Sequence, residues 1–275
     1  MKIYIAVDIE GVSGVVSRSH TSETGFDYGH AREWMTGEAS AAVEGAIQAG
    51  AKEVWVADFH GGNGFRNLLL HKMHPKAQLI SGSPKSLVGE DALDDSFDAL
   101  FLVGYHTRNR SPGVISHSIN GVVVNEIRVN GQALGEVGLS AAAAGHYQVP
   151  TLLVTGDDAT AEESRALIPN IEAAVVKWAV SRGAARCLSH EMACEVIQDA
   201  AKRALERRGD IAPFVLEPPF DLQVEFTHAG AADGGKGVPG VTRMDSVTLQ
   251  YTAENFQEVF DMSKTIIRQA MSGVS

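Results

Sequence analysis

The sequence predicts an α/β fold with a mainly parallel sheet over residues 1–210, and a smaller α+β unit over 211–275 packed on it. Three observations carry this. Short β-rich apolar runs recur with helical segments between them. Each run stops at glycines or at a polar side chain. Three prolines, Pro213, Pro218 and Pro219, mark a change of pattern before the last strands and helix.

Taken in order, IYIAVD (3–8) is apolar and β-rich and gives way to EGVSG, as a buried parallel strand does at a loop; the strand is read as running to Glu10. Residues 30–50 are Ala-rich, carry Glu33, Glu38 and Glu44, and stop at Gly50, which predicts a helix. EVWVADFH (53–60) is the second strand, closed by Gly61-Gly62-Asn63-Gly64; QLISG (78–82), ALFLVGYH (99–106) and VPTLLVTGDD (149–158) repeat the form. Two β-rich runs and two Asn-Gly pairs, at 120–121 and 130–131, predict a hairpin excursion from the first unit over 114–135. Helices are expected at 159–167, 173–187 and 189–208. After the prolines come a strand at 221–227, a glycine-rich loop at 230–240, a strand at 245–251 and a helix at 254–271. In that helix Phe256, Val259, Phe260, Ile266, Ile267 and Ala270 make one apolar stripe.

With 44% hydrophobic residues the chain can fill a sizeable core. It has 23 Lys plus Arg against 34 Asp plus Glu, a formal net charge of -11, and lacks the basic patch a nucleic-acid binder needs. Cys187 and Cys194 are seven apart in a stretch that reads as helical, two turns or about 10 Å of rise, too far for an easy disulfide. They read as free thiols of a reducing compartment. Neither a leader pattern nor an apolar segment of membrane-spanning length is visible, so the expectation is a soluble cytoplasmic protein with no membrane partner.

In open parallel sheets, ligands bind outside the carboxyl ends of the strands. The predicted strands end there in possible metal ligands: Asp8 and Glu10, Asp58 and His60, His106, and Asp157 with Asp158. Side chains two apart on extended backbone face the same way, so Asp8 with Glu10, and Asp58 with His60, can act together. Glu136 follows the hairpin and opens a small-residue segment. Each of these alone has a plainer reading. A single Asp at a strand end usually caps a turn, a His before glycines usually packs, and Asp157 and Asp158 fit helix caps. His71 and His74 sit at a helix end, while His20 and His30 lie in a loop within reach of the site. The set as a whole suits zinc, which accepts imidazole and carboxylate. A close pair of ions also needs a bridging carboxylate. Three carboxylates and two neutral imidazoles would leave two divalent ions with a positive remainder that acidifies bound water. EGVSG after the first strand is neither a P-loop nor a GxGxxG, HGGNG lacks the following Lys-Ser/Thr of a P-loop, and GxSxG is absent, so nucleotide binding and serine hydrolysis recede. A metal hydrolase remains, with its substrate open.

At the same residues the chain resembles the DppA-like zinc D-aminopeptidase family of metallopeptidases. The family signature Ser-x-Asp-x-Glu-Gly is matched by AVDIEG at 6–11, followed in order by DFH (58–60), LHKMHPKAQLISG (70–82), GYHTR (104–108), PGVISHSING (112–121), NGQALGEVGL (130–139), VPTLLVTGDD (149–158) and IPN (168–170). The resemblance implies a Rossmann-like α/β domain with a smaller α+β domain. It also implies two zinc ions per subunit, with manganese or cobalt as alternatives. The first would be held by Asp8, Glu10 and His60, the second by His106 and Glu136, with Asp8 bridging. His117 would be the catalytic group beside them. The implied substrate is a short peptide or amino-acid amide with a D-residue, such as D-alanine, at its amino end. The implied assembly is a ring-like homo-oligomer enclosing its active sites. Ala6 departs from the signature serine and removes a hydroxyl near Asp8. Two rival readings are a binuclear hydrolase of L-peptides, other amides or phosphate esters, with Arg108 as the cation nearest the site, and a non-catalytic small-ligand-binding α/β protein.

Overall fold

A computed structural model describes residues 1–83 and 92–274. Along the chain come β1 (Lys2–Val7), α1 (Arg18–Thr21), α2 (Tyr28–Gln48), β2 (Glu53–Asp58), β3 (Ala77–Ile80), β4 (Ala99–Val103), β5 (Val124–Val129), β6 (Gln132–Ala133), α3 (Glu136–His146), β7 (Thr151–Asp157) and α4 (Asp158–Leu167). There follow β8 (Glu172–Ser181), β9 (Ala184–Cys187), α5 (His190–Glu206), β10 (Phe220–Phe226), α6 (Ala229–Gly235), β11 (Thr242–Arg243), β12 (Thr248–Ala253) and α7 (Phe256–Ala270).

Seven strands form the first sheet in the order β3-β2-β1-β4-β7-β8-β9, parallel except for β9. β1, β4 and β7 are buried almost throughout, which is why they read as unbroken apolar runs rather than as alternating ones. From β1 the chain winds outward to β2 and β3, then returns to β4 on the other side. The reversal opens a crevice at the carboxyl ends of β1 and β4. The fold is thus the expected Rossmann-like α/β arrangement with a smaller mixed element. α2 and α5 pack on each other and against this sheet.

The second sheet is antiparallel, in the order β11-β12-β10-β5-β6. β5 and β6 come from the segment read as an excursion, and β5 pairs with β10 across most of its length. Of the two Asn-Gly pairs, only Asn130-Gly131 makes the hairpin turn, with both residues at positive φ. Asn120-Gly121 lies in a turn before β5 instead.

Two elements differ from expectation. Residues 173–187 form the β8–β9 hairpin, not a helix. The alanines there suggested helix, but Ala174 and Val176 face the core in strand alternation and β7 offers an edge to pair. Cys187 therefore lies on a strand and Cys194 on α5; both are free. The glycine-rich 230–240 stretch contains α6, where tertiary contact with α7 outweighs poor helix propensity. Among the described residues no helix is long and apolar enough to cross a membrane.

α3 ties the layers together. Val137, Ala141 and Ala144 belong to the core of the first sheet, whereas Leu139, Ala142 and Ala143 belong to that of the second. Its run of small residues is the consequence of burial on opposite faces.

At the crevice, backbone meets backbone. Gly11 N donates to Gly104 O at 2.7 Å, and Gly104 has φ +70°. A methyl on Gly11 would overlap the carbonyl of Tyr105. Gly11→Ala is expected to cost about 1–3 kcal/mol by overpacking and to weaken metal binding. Thermal unfolding and metal titration check both.

Candidate metal centre and active site

The carboxyl ends of three neighbouring strands deliver the first groups. β1 ends at Val7, so Asp8 and Glu10 lie just beyond it rather than on it, yet they converge. His60 Nδ1 is 3.3 Å from Asp8 Oδ1 and 3.1 Å from Glu10 Oε2. His106, after β4, places Nε2 3.5 Å from Asp8 Oδ2 and 3.3 Å from Glu136 Oε1. Glu136 is the first residue of α3, and its Oε1 accepts from Ile119 N at 2.8 Å. His117, from the loop between β4 and β5, stacks on His106 with ring centroids 4.1 Å apart and sets Nε2 3.9 Å from Glu136 Oε1.

The histidines share one device: each has its outer ring nitrogen against a backbone carbonyl. His60 Nε2 donates to Thr21 O at 2.8 Å, His106 Nδ1 to Thr107 O at 2.9 Å and His117 Nδ1 to Ile115 O at 2.9 Å. A carbonyl can only accept, so the inner nitrogen of each ring is left for the cluster.

The electrostatics favour a cation. Burial alone would raise the pKa of Asp8, but hydrogen bonding and charge from His106 and His60 hold it well below the usual range. Burial likewise raises Glu136, but the charge and hydrogen bond of His106 and the charge of His117 together hold it below the ordinary value. For His60 and His106 burial acts downward, yet the carboxylates (Glu10 and Asp8 for one, Glu136 and Asp8 for the other) lift both well above the ordinary imidazole value. Without another cation the site takes up protons on its histidines. His106 Nε2, buried and facing two carboxylates, still lacks a well-directed hydrogen bond. Two donor groups suited to a metal ion result: Asp8 with Glu10 and His60, and His106 with His117 and Glu136. In each, the donor atoms lie within 4.8 Å of one another. The residues present fit a pair of divalent ions.

Other candidates have structural work. Asp58 accepts from Leu68 N and Asn67 Nδ2, both at 2.8 Å, and so shapes the loop after His60 instead of joining it at the cluster. Asp157 caps α4 through Thr160 N and also accepts from Val114 N, holding the loop that leads to His117. Ala6 is packed against Ala57 and Leu102 of the adjoining strands, and Asp8 Oδ1 takes the N–H of Ile9 at 2.8 Å. Arg108 is engaged with Glu126 and Glu163 and lines a different cleft.

Two cationic residues escaped sequence reasoning because 173–187 read as helix. Lys177 on β8 is fully buried, and its Nζ donates to the carbonyls of Glu10, Val12 and Val15, the last two at 3.1 and 2.6 Å. It therefore fixes the loop that carries Glu10. The same loop is held through Ser13 N by Glu38, whose other carboxyl oxygen is buried without a partner. Arg182, in the β8–β9 turn, lines a cleft of about 600 Å³ together with Glu10 and His117. A smaller cleft of about 210 Å³, over Asp8, His60 and Glu136, shares those two residues.

A model of the D-aminopeptidase family matches residues 1–265 of the chain. The D-aminopeptidase of Bacillus subtilis (strain 168) is 37% identical over 274 residues, covering 98% of each chain. A solved structure, the Zn-dependent D-aminopeptidase DppA from Bacillus subtilis, described as a self-compartmentalizing protease, matches with a TM-score of 0.95. It is 34% identical, and the match covers 98% of each chain.

Lys177→Met would leave three carbonyls unpaired in the interior. It is expected to cost about 2–4 kcal/mol and to lower metal affinity, read by denaturant unfolding and metal titration. Glu38 gives a pH signature. Burial raises its pKa to about 7, so its contribution to stability is complete at acid pH and is lost as pH rises through 7. Lys177, drawn down by burial to about 8 from an ordinary 10.5, titrates above that window. Thermal melts from pH 5 to 7.5 should therefore fall more steeply for the parent protein than for Glu38→Gln.

Proposed function

The chain belongs to the D-aminopeptidase family, and on that premise we propose that it is a zinc-dependent aminopeptidase that releases a D-residue, D-alanine foremost, from the amino end of short peptides and amino-acid amides. The observation that carries this reading is the meeting of the two donor groups at the base of a cleft wide enough for a small peptide. Asp8, Glu10 and His60 would hold one ion, and His106 and Glu136 a second, with Asp8 within reach of both histidines. A pair of ions there supplies Lewis acidity for the scissile carbonyl and an activated water.

His117 differs from His106 in access: its side chain is 17% exposed against 1%, and it lines both clefts. With Nδ1 held by Ile115 O, it works through Nε2 alone. From there it stabilises the developing oxyanion or passes a proton to the leaving amine. Thr21 and Thr107 hold the other two rings in register through their carbonyls, so the cluster needs little rearrangement on binding.

The protein acts as a homo-oligomer enclosing its active sites. The self-compartmentalizing relative supports this, as do side chains such as Phe26 and Val180, 94% and 75% exposed, which are costly in water and apt for subunit contact. Two free thiols suit a cytoplasmic location.

Hydrolysis of matched D-alanyl and L-alanyl p-nitroanilides, with zinc and after chelation, tests the reading. Fast cleavage of the D form alone, abolished by chelator and restored by zinc, is the expected result. Preference for the L form, or for a phosphate ester, would sink it. His117→Ala should lower kcat by about 10²–10⁴-fold, and His60→Ala and His106→Ala should each reduce metal content, measured by elemental analysis. Light scattering should give a mass several times 29.3 kDa.

A further inference from the structure

The larger cleft is bipolar. Glu10 and His117 belong to it and to the carboxylate-rich cleft below, while Arg18 and Arg182 also line it, in a chain of net charge -11. Arg182 is exposed but tethered. Its carbonyl accepts from Ile115 N at 2.8 Å, and its Nε and Nη2 donate to Ser116 O at 3.3 and 3.1 Å. The guanidinium is thereby attached to the residue preceding His117, in register with the reacting centre. A guanidinium carries five N–H donors, and these contacts use only part of that capacity. Among the described residues that line this cleft, no carboxylate pairs with Arg182 or with Arg18.

We infer that Arg182 binds the free α-carboxylate of a short peptide whose amino end lies at the carboxylate–histidine cluster, with Arg18 adding attraction at the same end. The inference rests on the D-aminopeptidase reading and narrows its substrate class to short peptides with an unblocked carboxyl end. The planar fork matches a carboxylate, and the Ser116 contact pre-orients it. Elsewhere the acidic surface repels an anionic chain end, so two unpaired arginines in the cleft set its direction of entry. Held at the far end, the substrate presents its first peptide bond at a fixed distance from His117, and binding energy remote from the bond is used for alignment.

The test compares kcat/KM of the zinc-loaded protein for D-alanyl-D-alanine and for its carboxyl-terminal amide. The free acid should be preferred about tenfold or more, as loss of a charge-assisted hydrogen bond implies. In Arg182→Gln the ratio should fall to about one, mainly through KM of the acid, and Arg182→Lys should restore part of it. If the glutamine variant does not fold, the lysine variant carries the test, with an intermediate ratio expected. A ratio near one in the parent protein, or one that the Arg182 variants leave unchanged, overturns the anchor; the latter is the outcome if the metal ions alone capture the carboxylate. D-alanyl p-nitroanilide separates the two levels. D-selective cleavage with a ratio near one removes only the anchor, whereas no D-selective cleavage of any substrate removes the reading beneath it as well.

Discussion

Burying three carboxylates in one crevice is the constraint around which this structure is arranged. Asp8, Glu10 and Glu136 are all nearly inaccessible, and such groups repel one another and lose hydration unless cations or donors surround them. Every local feature of the site answers that need. Main-chain N–H groups of Ile9 and Ile119 point at the carboxylates, and His60 and His106 stand between them. The backbone carbonyls that would otherwise crowd the same loop are gathered by Lys177. The sheet serves this arrangement by reversing its winding between β1 and β4, which lets two strand ends open at one point.

Much of this was legible in the sequence because the groups that bind a metal sit where strands stop. A run of buried β-branched residues that ends in a polar side chain marks both the strand and the crevice, so Asp8, Glu10, His60 and His106 stood out. Glu136 was visible through the glycine and small residues around it, which announce a helix start. His117 was not, since nothing local distinguishes a histidine in a turn. Only the fold stacks it on His106. Its role was suggested by resemblance.

The misreading of 173–187 had a larger effect than one wrong element. Alanine-rich composition outweighed the Val-Val-Lys-Trp alternation, and parallel pairing with β7 is a long-range fact that no window of sequence contains. Lys177 and Arg182 therefore passed unremarked in the sequence. Both are cations placed by the edge of the sheet. The glycine-rich stretch that became α6 failed for the matching reason: propensity spoke for a loop, and packing on α7 decided otherwise.

α3 has a consequence for cooperativity. Its two faces belong to different cores, and its first residue is Glu136. Asp8, Glu10 and His60 depend on the first sheet alone, whereas Glu136 is held in place only while α3 remains wedged between both. An ion that needs Glu136 is therefore thermodynamically linked to the docking of the second sheet: by mass action its occupancy strengthens that docking, and loosening the docking weakens its hold by the same amount. The two donor groups thus have unequal exposure to mechanical failure, and an ion bound on the Glu136 side would be the first to leave when the layers part.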